Sequence, residues 1–240
     1  MENIIKLTPI EEEINALLQK SGFYLQTYRA IEALSVLNQA EGLVNTNTVI
    51  WQLKAAVFRN IGQAQFQMGH FEIAMDYFIR CYEITEDCND KAAAAGLIAG
   101  NYLRAGKTKE ALKYADKALQ TATETELLSM PYRIQGVVAA NEGNYSKGIE
   151  LLNKAAELSE KAHCLTDLAM IIMDISAIYM EMGMAETALS EVYRAERYVK
   201  ECRNLDLYFH CALRRAKLLF KMGKDEEAKY LIMALDDQKN

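Results

Sequence analysis

Five glycines divide this 240-residue chain at nearly even intervals. Gly69, Gly106, Gly143, Gly183 and Gly223 follow one another at 37, 37, 40 and 40 residues, in the contexts QFQMGHFEIA, YLRAGKTKEA, AANEGNYSKG, YMEMGMAETA and LFKMGKDEEA. A period of this length means one supersecondary unit repeated along the chain. Aligned on the glycines, the position seven residues earlier holds Gly62, Ala99, Gly136, Ser176 and Ala216, and the position five later holds Ala74, Ala111, Gly148, Ala188 and Ala228. Both columns are small throughout. Nine residues after the glycine stand Phe78, Ala115, Leu152, Val192 and Ile232, and twelve after it, in the first four units, Cys81, Ala118, Ala155 and Ala195. Small side chains let two helix backbones approach, and the apolar positions fill the space between them. The glycine suits a left-handed cap that ends the first helix. The unit is expected to be a helical hairpin.

Composition agrees. Ala, Leu, Met, Glu and Lys abound and favour helix, only two prolines occur (Pro9 and Pro131), and no Asn-Gly or Asp-Gly turn separates alternating runs. The expected fold class is all-α. The net charge of −6 argues against general nucleic-acid binding. Cys81, Cys88, Cys164, Cys202 and Cys211 are odd in number and hold no CxxC pair, which reads as free buried thiols in a reducing compartment. The start, MENIIKLTPIEEE, lacks the basic flank and long apolar run of a secretory signal. The most apolar stretch, LAMIIMDISAIYMEMGM, is broken by Asp174 and Glu181 and is not expected to span a membrane. These readings point to a cytoplasmic protein.

Over residues 47–235 the chain resembles the tetratricopeptide repeat family. Ile61-Gly62, Gly69, Phe71, Ala74 and Phe78 carry the resemblance best. Phe71 and Tyr145 match the family's aromatic two residues after the turn glycine; Thr108, Ala185 and Asp225 do not. The units exceed the family's usual length of about 34 residues, and the proline that often closes a unit is absent. Residues 1–45 read as an atypical first hairpin or cap without a turn glycine, since terminal units are often irregular. Five repeat units follow, ending in the polar tail DDQKN. The resemblance implies one domain of about six hairpins, stacked as a right-handed superhelical solenoid.

No Gly-rich phosphate loop, HExxH or GxSxG occurs, so neither catalysis nor a cofactor is expected. His163-Cys164 and His210-Cys211, with Cys202 nearby, match no zinc spacing. His70, after a turn glycine, reads as a solvated loop residue.

In the resembled family the first helix of each pair lines a concave groove that holds a peptide or partner helix. Counting thirteen, ten, six and three residues back from each glycine places Arg59, Gln63, Phe66, Leu103, Met130, Arg133, Val137, Met170, Met173, Met180, Leu213, Lys217 and Phe220 on that face, with Arg104 adjacent. Ala56, Ala93, Gly96, Gly100, Ala140, Ala177 and His210 complete the sets. The stripe holds three cations and no carboxylate, which suits an acidic segment or a free carboxylate. Its methionines suit a partner with an apolar helix, although packing against the preceding unit explains them equally well. The arginines are open to the same plain reading, as an internal pair with Asp174 or Glu181. The family's carboxylate clamp is not expected. Asn60 lies beside Arg59, but Gly96 and Gly100 stand where polar residues are wanted.

The expected function is a non-catalytic scaffold or adaptor that binds a protein or peptide in the groove. Longer units also resemble those of bacterial cytoplasmic receptors that wrap a signalling peptide, so a peptide-responsive regulator or a secretion chaperone is the alternative. Self-association through a terminal helix face stays open.

Overall fold

The computed structural model describes residues 7–237. Residues 1–6 and 238–240, which include most of the MENIIKLT start and the end of the polar tail, lie outside the described residues. Twelve α-helices are present among the described residues: α1 (Pro9–Gln26), α2 (Ala30–Thr46), α3 (Trp51–Gln67), α4 (Phe71–Ile84), α5 (Cys88–Arg104), α6 (Thr108–Thr121), α7 (Ser129–Asn141), α8 (Tyr145–Lys161), α9 (Leu165–Glu181), α10 (Ala185–Cys202), α11 (Leu205–Lys221) and α12 (Asp225–Asp237). A short 3₁₀ turn, Thr125–Leu128, precedes α7. No described residue is in a strand. The chain forms two compact units, Met1–Thr123 with hairpins α1/α2, α3/α4 and α5/α6, and Glu124–Asn240 with α7/α8, α9/α10 and α11/α12.

All five repeat glycines adopt positive φ, between 71 and 84°. Each closes its first helix with the same pair of bonds. At the first turn the Gly69 N–H donates to the Phe66 carbonyl at 3.0 Å, and the His70 N–H to the Gln65 carbonyl at 2.9 Å. This is the Schellman cap, and it satisfies carbonyls the helix end would otherwise leave unpaired. The same pair recurs at Gly106, Gly143, Gly183 and Gly223. Between α1 and α2, where no glycine was available, Tyr28 takes the left-handed conformation at φ 56°. Its N–H donates to Leu25 and the Arg29 N–H to Tyr24, so the first hairpin is closed by the same cap. A side chain there costs about 1 kcal/mol relative to glycine.

Every residue in the two small columns is buried. Gly136 and Gly148 face each other across α7 and α8 so closely that a Cβ on either would sit 3.0 Å from the other's carbonyl oxygen. The Ser176 hydroxyl is buried and donates to the Ala188 carbonyl at 2.8 Å, tying the same two columns together in α9 and α10. Phe78, Leu152 and Val192 lie fully inside, while Ile232 in the last hairpin is half-buried. The first unit's core gathers Ile14, Leu37, Val57 and Ile61; the second gathers Leu152, Leu168, Ile172 and Leu218.

The α1/α2 hairpin is joined to its successor by a polar contact as well. Thr8 caps α1 with a capping box, and the same Glu11 carboxylate that completes it accepts the Ile50 N–H at 3.0 Å, just before α3. The backbone N–H groups of Thr8 and Ile50 hold the Glu11 carboxyl below its ordinary range.

All five cysteines are free, but only Cys81 and Cys211 are buried; Cys88 and Cys164 are exposed and Cys202 is half-buried. Two exposed thiols arise because helices begin at those positions: Cys88 opens α5, and Cys164 caps α9. His163 is a left-handed cap residue at φ 54°, which explains its place beside Cys164. No helix among the described residues is long and apolar enough to cross a membrane.

Candidate functional site

In the first unit, α3 presents Arg59, Gln63 and Phe66 at spacings of four and three, which place them on one face. Arg59 is exposed, and Gln63 and Phe66 are half-buried. Arg59 borders a recess shared with Gln52, Ala56, Cys81, Thr85 and Asp90, and it forms no ion pair among the described residues. Burial pushes the Cys81 thiol up from its ordinary pKa, against the opposing pull of the Thr85 hydrogen bond and the Arg59 charge. On α5, Leu103 is half-buried and Arg104 exposed. The Arg104 guanidinium lies 5.7 Å from the Phe66 ring centre and 5.5 Å from that of Phe71. The two rings meet edge to face at 5.4 Å. Phe66 thus contributes to a cation–aromatic cluster beside the Gly69 turn, and Arg104 makes no carboxylate pair among the described residues.

In the second unit the structure decides two readings that the sequence leaves open. First, Arg133 is not an open cation. Its Nε donates to Asp174 Oδ2 at 2.7 Å, from α7 to α9. Its Nη1 lies 4.0 Å from the Met170 sulfur. Asp167 lies two helical turns earlier on α9. Burial raises its carboxyl pKa, and the Arg133 charge draws it part of the way back. The stripe expected to be free of carboxylates therefore contains one, bonded to its central cation.

Second, Met173 is only 6% exposed and belongs to the core, so it offers no surface to a partner. The open face of α9 is turned by one position, to Met170, Asp174, Ala177 and Glu181. Ile171, Ile172, Ile175 and Ile178 are buried together with Met173. They take up the rest of the helix circumference. Met170, Met180 and Val137 are half-buried and pack against that core, and Met130 is half-buried as well. Leu213, Lys217 and Phe220 on α11 are exposed.

Between α7 and α9 lies a recess of about 90 Å³, lined by Val137, Ala140, Asn141, Tyr145, Leu152, Asp174, Ala177, Ile178 and Glu181. That volume admits the tip of one side chain, well below the few hundred Å³ of a small-molecule pocket. The sequence offers Asp174 and Glu181 as partners of the arginines, but not their place together in this recess. Its sequence signal is the seven-residue spacing of Asp167, Asp174 and Glu181, which sets three carboxylates on one side of a helix.

Comparison with known proteins now fits this geometry. Residues 57–88, running from the second turn of α3 through the Gly69 turn and α4, match the tetratricopeptide repeat family. The same hairpin recurs at each later glycine, and the described residues share the all-α fold of stacked tetratricopeptide-type hairpins. Solved structures with this fold include NprR in complex with its cognate peptide NprX, at a TM-score of 0.73, 14% identity, and coverage of 96% of this chain and 68% of that one. A Rap protein complexed with competence and sporulation factor gives 0.68 and 15%, covering 92% and 75%. Aspartyl phosphate phosphatase F from Bacillus subtilis gives 0.64 and 15%, covering 95% and 70%. No curated protein matches the chain by sequence.

Proposed function

We propose that the protein is a binding module that captures a peptide or an extended protein segment on the first-helix faces of its hairpins, and that it is not an enzyme. The observation that carries this reading is the face formed by Arg59, Gln63, Phe66, Leu103 and Arg104. It combines partly exposed apolar side chains with two cations that form no ion pair among the described residues. An exposed guanidinium over an aromatic ring, with a second on the same face, suits a segment with an acidic residue near an apolar one. This preference belongs to the first unit; in the second, Asp174 already occupies Arg133.

A peptide-responsive regulator is the more specific form of the reading. It is favoured by the fold shared with NprR and the Rap protein, whose structures contain a cognate peptide and a sporulation factor respectively. Five free thiols support placement in a reducing compartment such as the cytoplasm.

Peptides retained by the full chain from an extract of its native host can be sequenced, resynthesised and titrated. The double variant Arg59→Glu/Arg104→Glu should weaken the tightest binder by tenfold or more with unchanged helical circular dichroism. Equal affinity in the two proteins would remove the first-unit face from the account.

A further inference from the structure

We infer that the recess between α7 and α9 receives a cationic side chain, a lysine or arginine, from a bound peptide segment. The inference rests on the peptide-binding reading and adds a second, chemically opposite subsite to it. The recess has apolar walls from Val137, Ala177 and Ile178, and the half-buried ring of Tyr145 at one side. Asp174 and Glu181 stand on its α9 side, two helical turns apart. Glu181 forms no ion pair among the described residues. Asp174 shares one oxygen with Arg133. Arg133 contributes one positive charge against these two carboxylates, and Asp167 adds a third acid along the same side of α9. The basic side chains of α11 line no part of the recess.

Charge and shape complement the same occupant. A recess of about 90 Å³ accepts an ammonium or guanidinium tip. The apolar walls suit the methylene stem that carries it, and an aromatic ring attracts a cation. An acidic side chain would be repelled by Glu181, and a purely apolar one would cover Glu181 without giving it a partner. The neutralised Arg133 offers such an acid no compensation.

The test uses the full chain with labelled methyl groups. Four acetylated and amidated pentapeptides, Ala-Leu-X-Leu-Ala with X as lysine, arginine, norleucine or glutamate, are titrated by NMR. The lysine or arginine peptide should bind at least about tenfold more tightly than the other two. Its addition should shift the methyl signals of Val137 and Ala177. Glu181→Lys, at an exposed position, should abolish the preference and leave the spectrum otherwise native. Equal binding of all four peptides, or shifts confined to α3 and α5, overturns the inference and leaves the peptide-binding reading standing. Silence with all four also overturns it, while the broader reading is decided by the capture experiment.

Discussion

Replacing Phe78 by alanine is expected to lower the stability of the first unit by about 4 kcal/mol, the usual cost of deleting a buried phenyl ring. The ring is 1% exposed and occupies the space that Gly62 leaves open on α3. A Cβ at position 62 would come within 2.5 Å of Phe78 Cε1. The residue pair is thus one packing decision written in two places, a missing side chain on one helix and a large one on the next. Trp51, the sole tryptophan, sits on α3 in the same unit, so urea titration followed by its fluorescence reads the loss directly. The pairing has a sharper consequence. Gly62→Ala should destabilise when Phe78 is present and much less when it is leucine, so that the double variant loses less stability than the two single variants summed. Additive effects would show that Gly62 and Phe78 do not compete for the same space.

Gly148→Val is expected to be of similar severity in the second unit, on the order of 3 kcal/mol. The obstacle here is backbone. A Cβ at 148 would lie 3.0 Å from the Gly136 carbonyl oxygen and 3.0 Å from the Ala140 Cβ, and α7 and α8 would have to separate. A flexible side chain could turn away; a helix carbonyl bonded along its own axis cannot. Thermal unfolding followed by circular dichroism measures the effect, and Ser146→Val, on the exposed face of α8, serves as the control that should change little. A melting temperature for Gly148→Val as high as the control's would contradict the close approach of the two helices.

These two sites also show what the sequence makes legible. A position that must be small in five successive units leaves a mark in composition, and a cap that needs positive φ selects glycine. Hairpins, turns and inner columns were therefore readable before any coordinates. The Tyr28, His163 and Arg203 caps were not, because a residue with a Cβ can adopt the left-handed conformation at modest cost and nothing in its identity announces it. The open face of α9 was misread for a different reason. Its run LAMIIMDISAIYM is apolar on nearly every side, so periodicity assigns no face to it, and a fixed count from the glycine chose Met173 over Asp174. The pairing of Arg133 with Asp174 lies between residues 41 apart in sequence. It was open as an alternative, and only three-dimensional packing decides it.

If function lies on the first helix of each hairpin, as proposed, a bound peptide protects those helices. Hydrogen exchange of the full chain, with and without the tightest peptide recovered by capture, tests that placement most directly. Added protection should fall on α3 and α5, or on α7 and α9, with little change in α4, α6, α8 and α10. Protection confined to those second helices would contradict it.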